Sequence, residues 1–187
     1  NYYPLGSCTM KYNPKINDEL ASLEGFAHIH PLEQDTEVQG ALELMYHLQS
    51  SLSQVVGLEN ASLSTMAGAQ GELAGMLMIR AYHITNGDKQ RKIVLVPDSA
   101  HGTNPASASM AGYQVTTVAS DHMGNMDLNE LKRLVSTEVA GLMLTLPNTL
   151  GLFDNNIREI CDIIHEYGGG HHFYLRSSFY IERHAVL

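Results

Sequence analysis

The chain has 187 residues, 44% of them hydrophobic, and a formal net charge of −9 from 20 acidic against 11 basic side chains. That length and apolar content suit one domain, or most of one, with a real core. The acidic balance argues against nucleic acid as a partner, because phosphate backbones call for a basic face. No run of about 18 apolar residues suggests a transmembrane helix, so no membrane association is expected.

Residues 1–36 read as an N-terminal arm. Pro4, Pro14, Pro31, Gly6 and Gly25 interrupt any long element, leaving room for a short helix near 14–23. Asn1-Tyr2-Tyr3-Pro4 reads as mid-protein sequence, so further residues are expected upstream, and no signal peptide is visible. A long helix is expected over 37–57. There Val38, Leu42, Met45, Leu48, Leu52 and Val55 recur at three- and four-residue spacing, and Gly57 supplies a stop. A stripe of this kind is expected to be core.

A strand-like piece, 61–64, precedes a second helix that opens at Met66–Glu72 and runs to about Thr85, with Leu73, Leu77 and Ala81 on one face. From there the chain alternates: strand 93–96, helix 104–111, strand 114–118, helix 127–137 with Asp127 as N-cap, strand 141–145 and helix 154–167. The last helix carries Ile157, Ile160, Ile163 and Ile164 on its buried face. Such alternation predicts an α/β fold, a mostly parallel sheet flanked by helices. Phe173-Tyr174-Leu175 fits one more strand, after which no period is clear.

Chemistry concentrates at loops that follow strands, the edge where open α/β sheets bind ligands. In Pro97–Ala108, His101 has the chemistry to stack on a flat ring, to act as acid or base, or simply to hydrogen-bond the backbone. Thr103 and Asn104 stand beside it. Gly68-Ala69-Gln70-Gly71 opens a helix with small residues, which suits an anion on free N–H groups; an eased turn explains the same residues. Pro147-Asn148-Thr149-Leu150-Gly151 offers Asn148 and Thr149 to a ligand at the same edge, although turn chemistry alone also accounts for it.

In Ser7-Cys8-Thr9-Met10-Lys11, Cys8 has a nucleophile's chemistry but no base can be named for it, and Lys11 suits an anion or plain surface. His28, His30, His171 and His172 lack metal-ligand spacing, and no metal is expected. Cys8 and Cys161, far apart in sequence, make no disulfide framework and point to a reducing compartment.

Four blocks together resemble the glycine decarboxylase family, the P-protein of the glycine cleavage system, in its C-terminal half or separate subunit 2. They are Tyr3–Lys15, Ala67–Glu72, Pro97–Ala108 and Pro147–Phe153, and the likeness runs from residue 1 to about 169. The resemblance implies the partial large domain of a fold-type-I (aminotransferase-like) enzyme over 37–169. It implies pyridoxal 5'-phosphate as cofactor, decarboxylation of glycine, and transfer of the aminomethyl group to the lipoyl arm of the H-protein. The partners it implies are the lipoylated H-protein and the companion P-protein subunit or half, in an oligomer at full length. It assigns Ala69 and Gln70 to the cofactor phosphate, His101 to stacking on the ring, and Asn148 and Thr149 to the pocket. The compartment is cytoplasmic for a bacterial source and mitochondrial for a eukaryotic one.

The tail departs from the family. Residues 170–187 contain neither Asp nor Lys. The family's ring-nitrogen aspartate and cofactor lysine are therefore missing, and the tail looks like out-of-frame translation or a foreign end. The chain reads as truncated before the cofactor lysine and inactive alone. Two other readings stand beside this one: a different fold-type-I enzyme, against which the Ser7–Lys11 block speaks, and a non-catalytic binding or assembly module.

Overall fold

The computed structural model describes residues 14–30 and 32–168, in two compact units divided between Ser51 and Leu52. Cys8, Lys11, His171, His172 and the expected strand at 173–175 lie outside the described residues. In the first unit, α1 (Lys15–Ala21) and α2 (Glu24–Ala27) are short, and a 3-10 turn (Asp35–Glu37) leads into α3 (Gln39–Val56), whose last residues belong to the second unit. Pro14 precedes α1 with φ −57°, the value its ring imposes, and Ser22 closes the other end by donating to the Asp18 carbonyl at 2.6 Å.

The long helix expected over 37–57 is present as α3, but its stripe is not core. Leu42, Met45, Leu48 and Val55 are exposed, while Val38 and Leu52 are half-buried. Periodicity decides which side chains share a face; it does not supply the surface that covers them.

In the second unit, α4 (Gly68–Thr85) precedes β1 (Ile93–Pro97), α5 (Thr103–Met110), β2 (Gln114–Val118), α6 (Leu128–Leu134), β3 (Val139–Leu142) and α7 (Ile157–Gly168). Residues 61–64, read as a strand, take no regular structure. The sheet order is β2-β1-β3, all parallel, with β1 central. Alternation along β1 splits the core into two layers. Leu95 joins Val118, Leu131, Val139, Leu142, Ile160, Ile163 and Ile164 under α6 and α7. Val94 and Val96 join Met76, Ile79, Ala108, Ala140 and Met143 under α4 and α5. Helices therefore cover both faces, as a parallel sheet requires.

β3 carries a bulge. Ile93 pairs with Val139 but Val94 pairs with Gly141, so Ala140 is an extra residue. The expected strand at 141–145 thus begins two residues earlier, and beyond Leu142 the Met143 amide still donates to the Leu95 carbonyl at 2.9 Å.

Of the α4 residues expected on one face, Leu73 packs against the core but the other two do not. Leu77 and Ala81 are exposed, and the inward positions are Glu72, Gly75, Met76, Ile79 and His83. Two polar residues turn inward because each has a partner there: hydroxyls for Glu72, a backbone carbonyl for His83. Asp127 caps α6 as expected, its Oδ1 accepting from the amides of Asn129 at 2.8 Å and Glu130 at 3.2 Å.

Candidate functional site

Three loops meet at the carboxyl edge of the sheet, and polar side chains stitch them together. Asp98, just past β1, accepts from the Ser120 amide at 3.0 Å and the Ser120 hydroxyl at 2.5 Å, joining the loop after β2. The bond from the Ser120 hydroxyl holds the Asp98 carboxyl below its ordinary pKa of 3.8, against the opposing pull of burial. Thr149, after β3, donates to the Ser99 carbonyl at 2.5 Å and fastens the third loop to the first. The Leu146–Pro147 bond in that loop is cis. Between the loops lies a shallow cleft with room for about one water molecule, lined by Ser99, Ala100, Gly124, Thr145, Asn148 and Asp154 among others.

Asn148 faces its own loop. Its Oδ1 accepts from the amides of Leu150 and Leu152, each at 3.0 Å, and its Nδ2 donates to the Gly124 carbonyl at 3.2 Å. One amide hydrogen remains for a ligand. Asn104, expected to help line a polar pocket beside His101, is fully buried instead, with neither amide atom hydrogen-bonded among the described residues.

His101 is exposed at the start of the crossover into α5. Its Nδ1 accepts from the Thr103 amide at 3.3 Å and lies 3.2 Å from Thr103 Oγ1. Thr103 Oγ1 in turn donates to Glu72 Oε1 at 3.2 Å. Glu72 stands two residues after Gln70, so this bond couples the early part of α4 to the start of α5 beside His101.

Among the described residues, no side chain caps the start of α4. Its N-cap is Ala67, in extended conformation at φ −155°, and Ala69 and Gln70 are exposed on the first turn. Gln70 Oε1 accepts from the Met66 amide at 2.6 Å, shaping the approach to the helix, and a Cβ built on Gly71 meets open space. An uncapped helix end and an exposed imidazole thus lie near one another, while the small cleft between the loops is lined by Asn148 but not by Ala69, Gln70 or His101.

Sequence reasoning assigned no role to Asp98, Asp154 or Glu72. Asp154 lines the cleft and accepts from the Met126 amide at 2.7 Å. Its only signal was a carboxylate just past the Pro147–Phe153 block. Among the described residues, no group of three or more His, Cys, Asp or Glu is arranged to hold a metal, and no helix is long and apolar enough to cross a membrane.

No protein-family model matches the chain. Over 168 residues it is 58% identical to the probable glycine dehydrogenase (decarboxylating) subunit 2 of Bacillus thuringiensis (strain Al Hakam). The same figures hold for the protein of that name from Bacillus cereus (strain B4264). The match takes in 90% of this chain and 34% of each relative. Among solved structures, a glycine decarboxylase (P-protein) in inhibitor-bound form superposes with a TM-score of 0.67 at 24% identity, over 86% of this chain and 34% of that one. A NifS-like protein gives 0.66 at 15% identity, over 87% and 44%. An aromatic aminotransferase from Pyrococcus horikoshii OT3 gives 0.59 at 18%, over 88% and 43%. These likenesses establish the fold as the fold-type-I arrangement, present in part. The chain spans about a third of the length of the curated relatives it matches, and by its sequence it belongs to the family of glycine dehydrogenase (decarboxylating) subunit 2.

Proposed function

We propose that this chain contributes the phosphate- and ring-binding part of a glycine dehydrogenase (decarboxylating). In that reaction glycine loses CO₂ and its aminomethyl group passes to the lipoyl arm of the H-protein, with the companion P-protein subunit or half as partner. The observation that carries the reading is 58% identity across 90% of the chain. The family is pyridoxal-phosphate-dependent, and the residues present fit that group in two respects. The uncapped start of α4, with Ala69 and Gln70 on its first turn, suits a phosphate. The exposed His101 ring suits stacking on a pyridine, and the Thr149 loop borders the same edge.

When bound, the cofactor supplies an electron sink for the carbanion left by CO₂. The chain's own residues bind and orient. The helix end would take the phosphate's negative charge, His101 would stack on the ring, and the stitched loops would hold the rim beside them. No lysine described in the second unit suits a covalent anchor at this edge. Lys89 and Lys92 precede β1, at the opposite edge, and Lys132 lies on α6 in an ion pair with Glu159 at 2.8 Å. The chain therefore binds pyridoxal 5'-phosphate weakly and non-covalently, and does not decarboxylate glycine alone. A cytoplasmic setting follows for a bacterial source such as those of its relatives.

Titration of the chain with pyridoxal 5'-phosphate, followed by borohydride reduction and peptide mass mapping, tests this reading. The expected result is a spectral change that His101→Ala weakens, with no stoichiometric adduct. A change indifferent to His101, or no change at all, overturns the site. A stoichiometric adduct on one lysine with glycine-dependent CO₂ release overturns the assignment of the anchor outside this chain.

A further inference from the structure

Glu72 is 4% exposed, and a buried carboxylate persists only where hydrogen bonds replace its water. Its partners are two hydroxyls of α5. Thr103 Oγ1 donates to Oε1 at 3.2 Å and Ser107 Oγ donates to Oε2 at 3.4 Å. Thr103 is also the residue that holds His101, through its amide at 3.3 Å and its Oγ1 at 3.2 Å from the same Nδ1.

Hydrogen accounting orders these contacts. Thr103 has one hydroxyl hydrogen and two acceptors within reach. A carboxylate oxygen is a stronger acceptor than a neutral imidazole nitrogen, so the hydrogen goes to Glu72. The Thr103 backbone N–H cannot rotate away and occupies the lone pair of Nδ1. Nδ1 then carries no hydrogen, and the ring hydrogen resides on Nε2, across the ring.

We propose that Glu72 is a positioning residue for His101: by taking the Thr103 hydroxyl hydrogen it fixes Thr103 and the start of α5, and with them the backbone N–H that Nδ1 accepts, and so holds the imidazole in one orientation and one tautomer, with hydrogen on Nε2. Any ring stacked on His101 then meets a plane fixed from beneath by a carboxylate that never touches it. The consequence for the cofactor rests on the reading of His101 given above; the tautomer does not.

Long-range proton–nitrogen correlation on the chain labelled with ¹⁵N-histidine reads the tautomer directly, with His101 assigned from the peak lost in His101→Gln. The expected wild-type pattern has hydrogen on Nε2 only. Glu72→Gln and Thr103→Val, which weaken the tie that holds the Thr103 amide against Nδ1, are expected to admit the Nδ1–H tautomer, and Thr103→Ser to restore the single form. The same two variants are expected to raise the dissociation constant for pyridoxal 5'-phosphate roughly two- to ten-fold, the size of one net hydrogen bond. If Glu72→Gln does not fold, Thr103→Val decides. A wild-type hydrogen on Nδ1, or an unmoved tautomer in both folded variants, overturns the proposal. A tautomer that responds in a chain that binds no pyridoxal 5'-phosphate upholds the positioning role and overturns the cofactor reading instead.

Discussion

His83 Nε2 lies 3.0 Å from the carbonyl oxygen of Ala140, the extra residue of the β3 bulge. A carbonyl only accepts, so Nε2 carries the hydrogen. The bulge displaces one residue from the β1–β3 ladder, and a buried side chain from α4 satisfies its carbonyl.

Replacing His83 by Ala therefore leaves the Ala140 carbonyl without its partner inside the core. The expected loss is roughly 1–3 kcal/mol from that acceptor alone, with a further cost for the space vacated. Urea unfolding of His83→Ala measures it, and His83→Gln, which keeps a donor, is expected to lose less. Equal losses in the two variants would show that the hydrogen bond is immaterial.

Gly112 ends the turn after α5 at φ +85°, and a Cβ there would collide with Nη1 of Arg80, which donates to the Ala111 carbonyl at 2.7 Å. Gly112→Ala is expected to cost roughly 1–2 kcal/mol for the left-handed backbone and about 1 kcal/mol for the displaced hydrogen bond. In the background of Arg80→Ala the second part should vanish, which a double-mutant cycle reads.

Burial pushes the Tyr113 phenol up to about 12, with Arg80 pulling the other way. The folded value exceeds the unfolded one, so the stability it confers is whole below pH 10.0 and is lost as pH rises through about 12. Spectrophotometric titration should find one of the nine tyrosines ionising late. Among the described residues its hydroxyl has no hydrogen-bond partner, so Tyr113→Phe is expected to leave stability near neutral pH unchanged or raised, and to blunt alkaline unfolding.

Asp98 acts in the opposite sense. Its folded pKa lies below 3.8, held there chiefly by the Ser120 hydroxyl. Its contribution is therefore present above the ordinary value and is lost as pH falls through the depressed one. Asp98 is exposed, so the effect is modest. Ser120→Ala should narrow the stability gap between neutral and strongly acid solution, and an unchanged acid transition would count against the bond.

The parallel sheet, its two covering layers and the α7 stripe were legible because each rests on apolar period and alternation. Ile160, Ile163 and Ile164 are buried as expected. The face of α4 was not legible, because inward Glu72 and His83 read as surface until their partners are known. The β3 bulge was invisible, since no residue type encodes it. At the site, Asn148 shows why motif and turn are hard to separate: Asn serves a ligand or its own loop with the same amide, and here most of that amide serves the loop. The exposure of the α3 stripe was not legible, because periodicity names a face without naming a neighbour to cover it.

The stitches at the sheet edge have a thermodynamic side. Thr149 to Ser99 and Asp98 to Ser120 bind three loops, distant in sequence, into one rim before any ligand arrives. Ordering that rim is part of folding, so binding there need not spend conformational entropy on it. Such a rim gains affinity by staying rigid, and cutting either stitch should loosen a ligand that neither stitch touches.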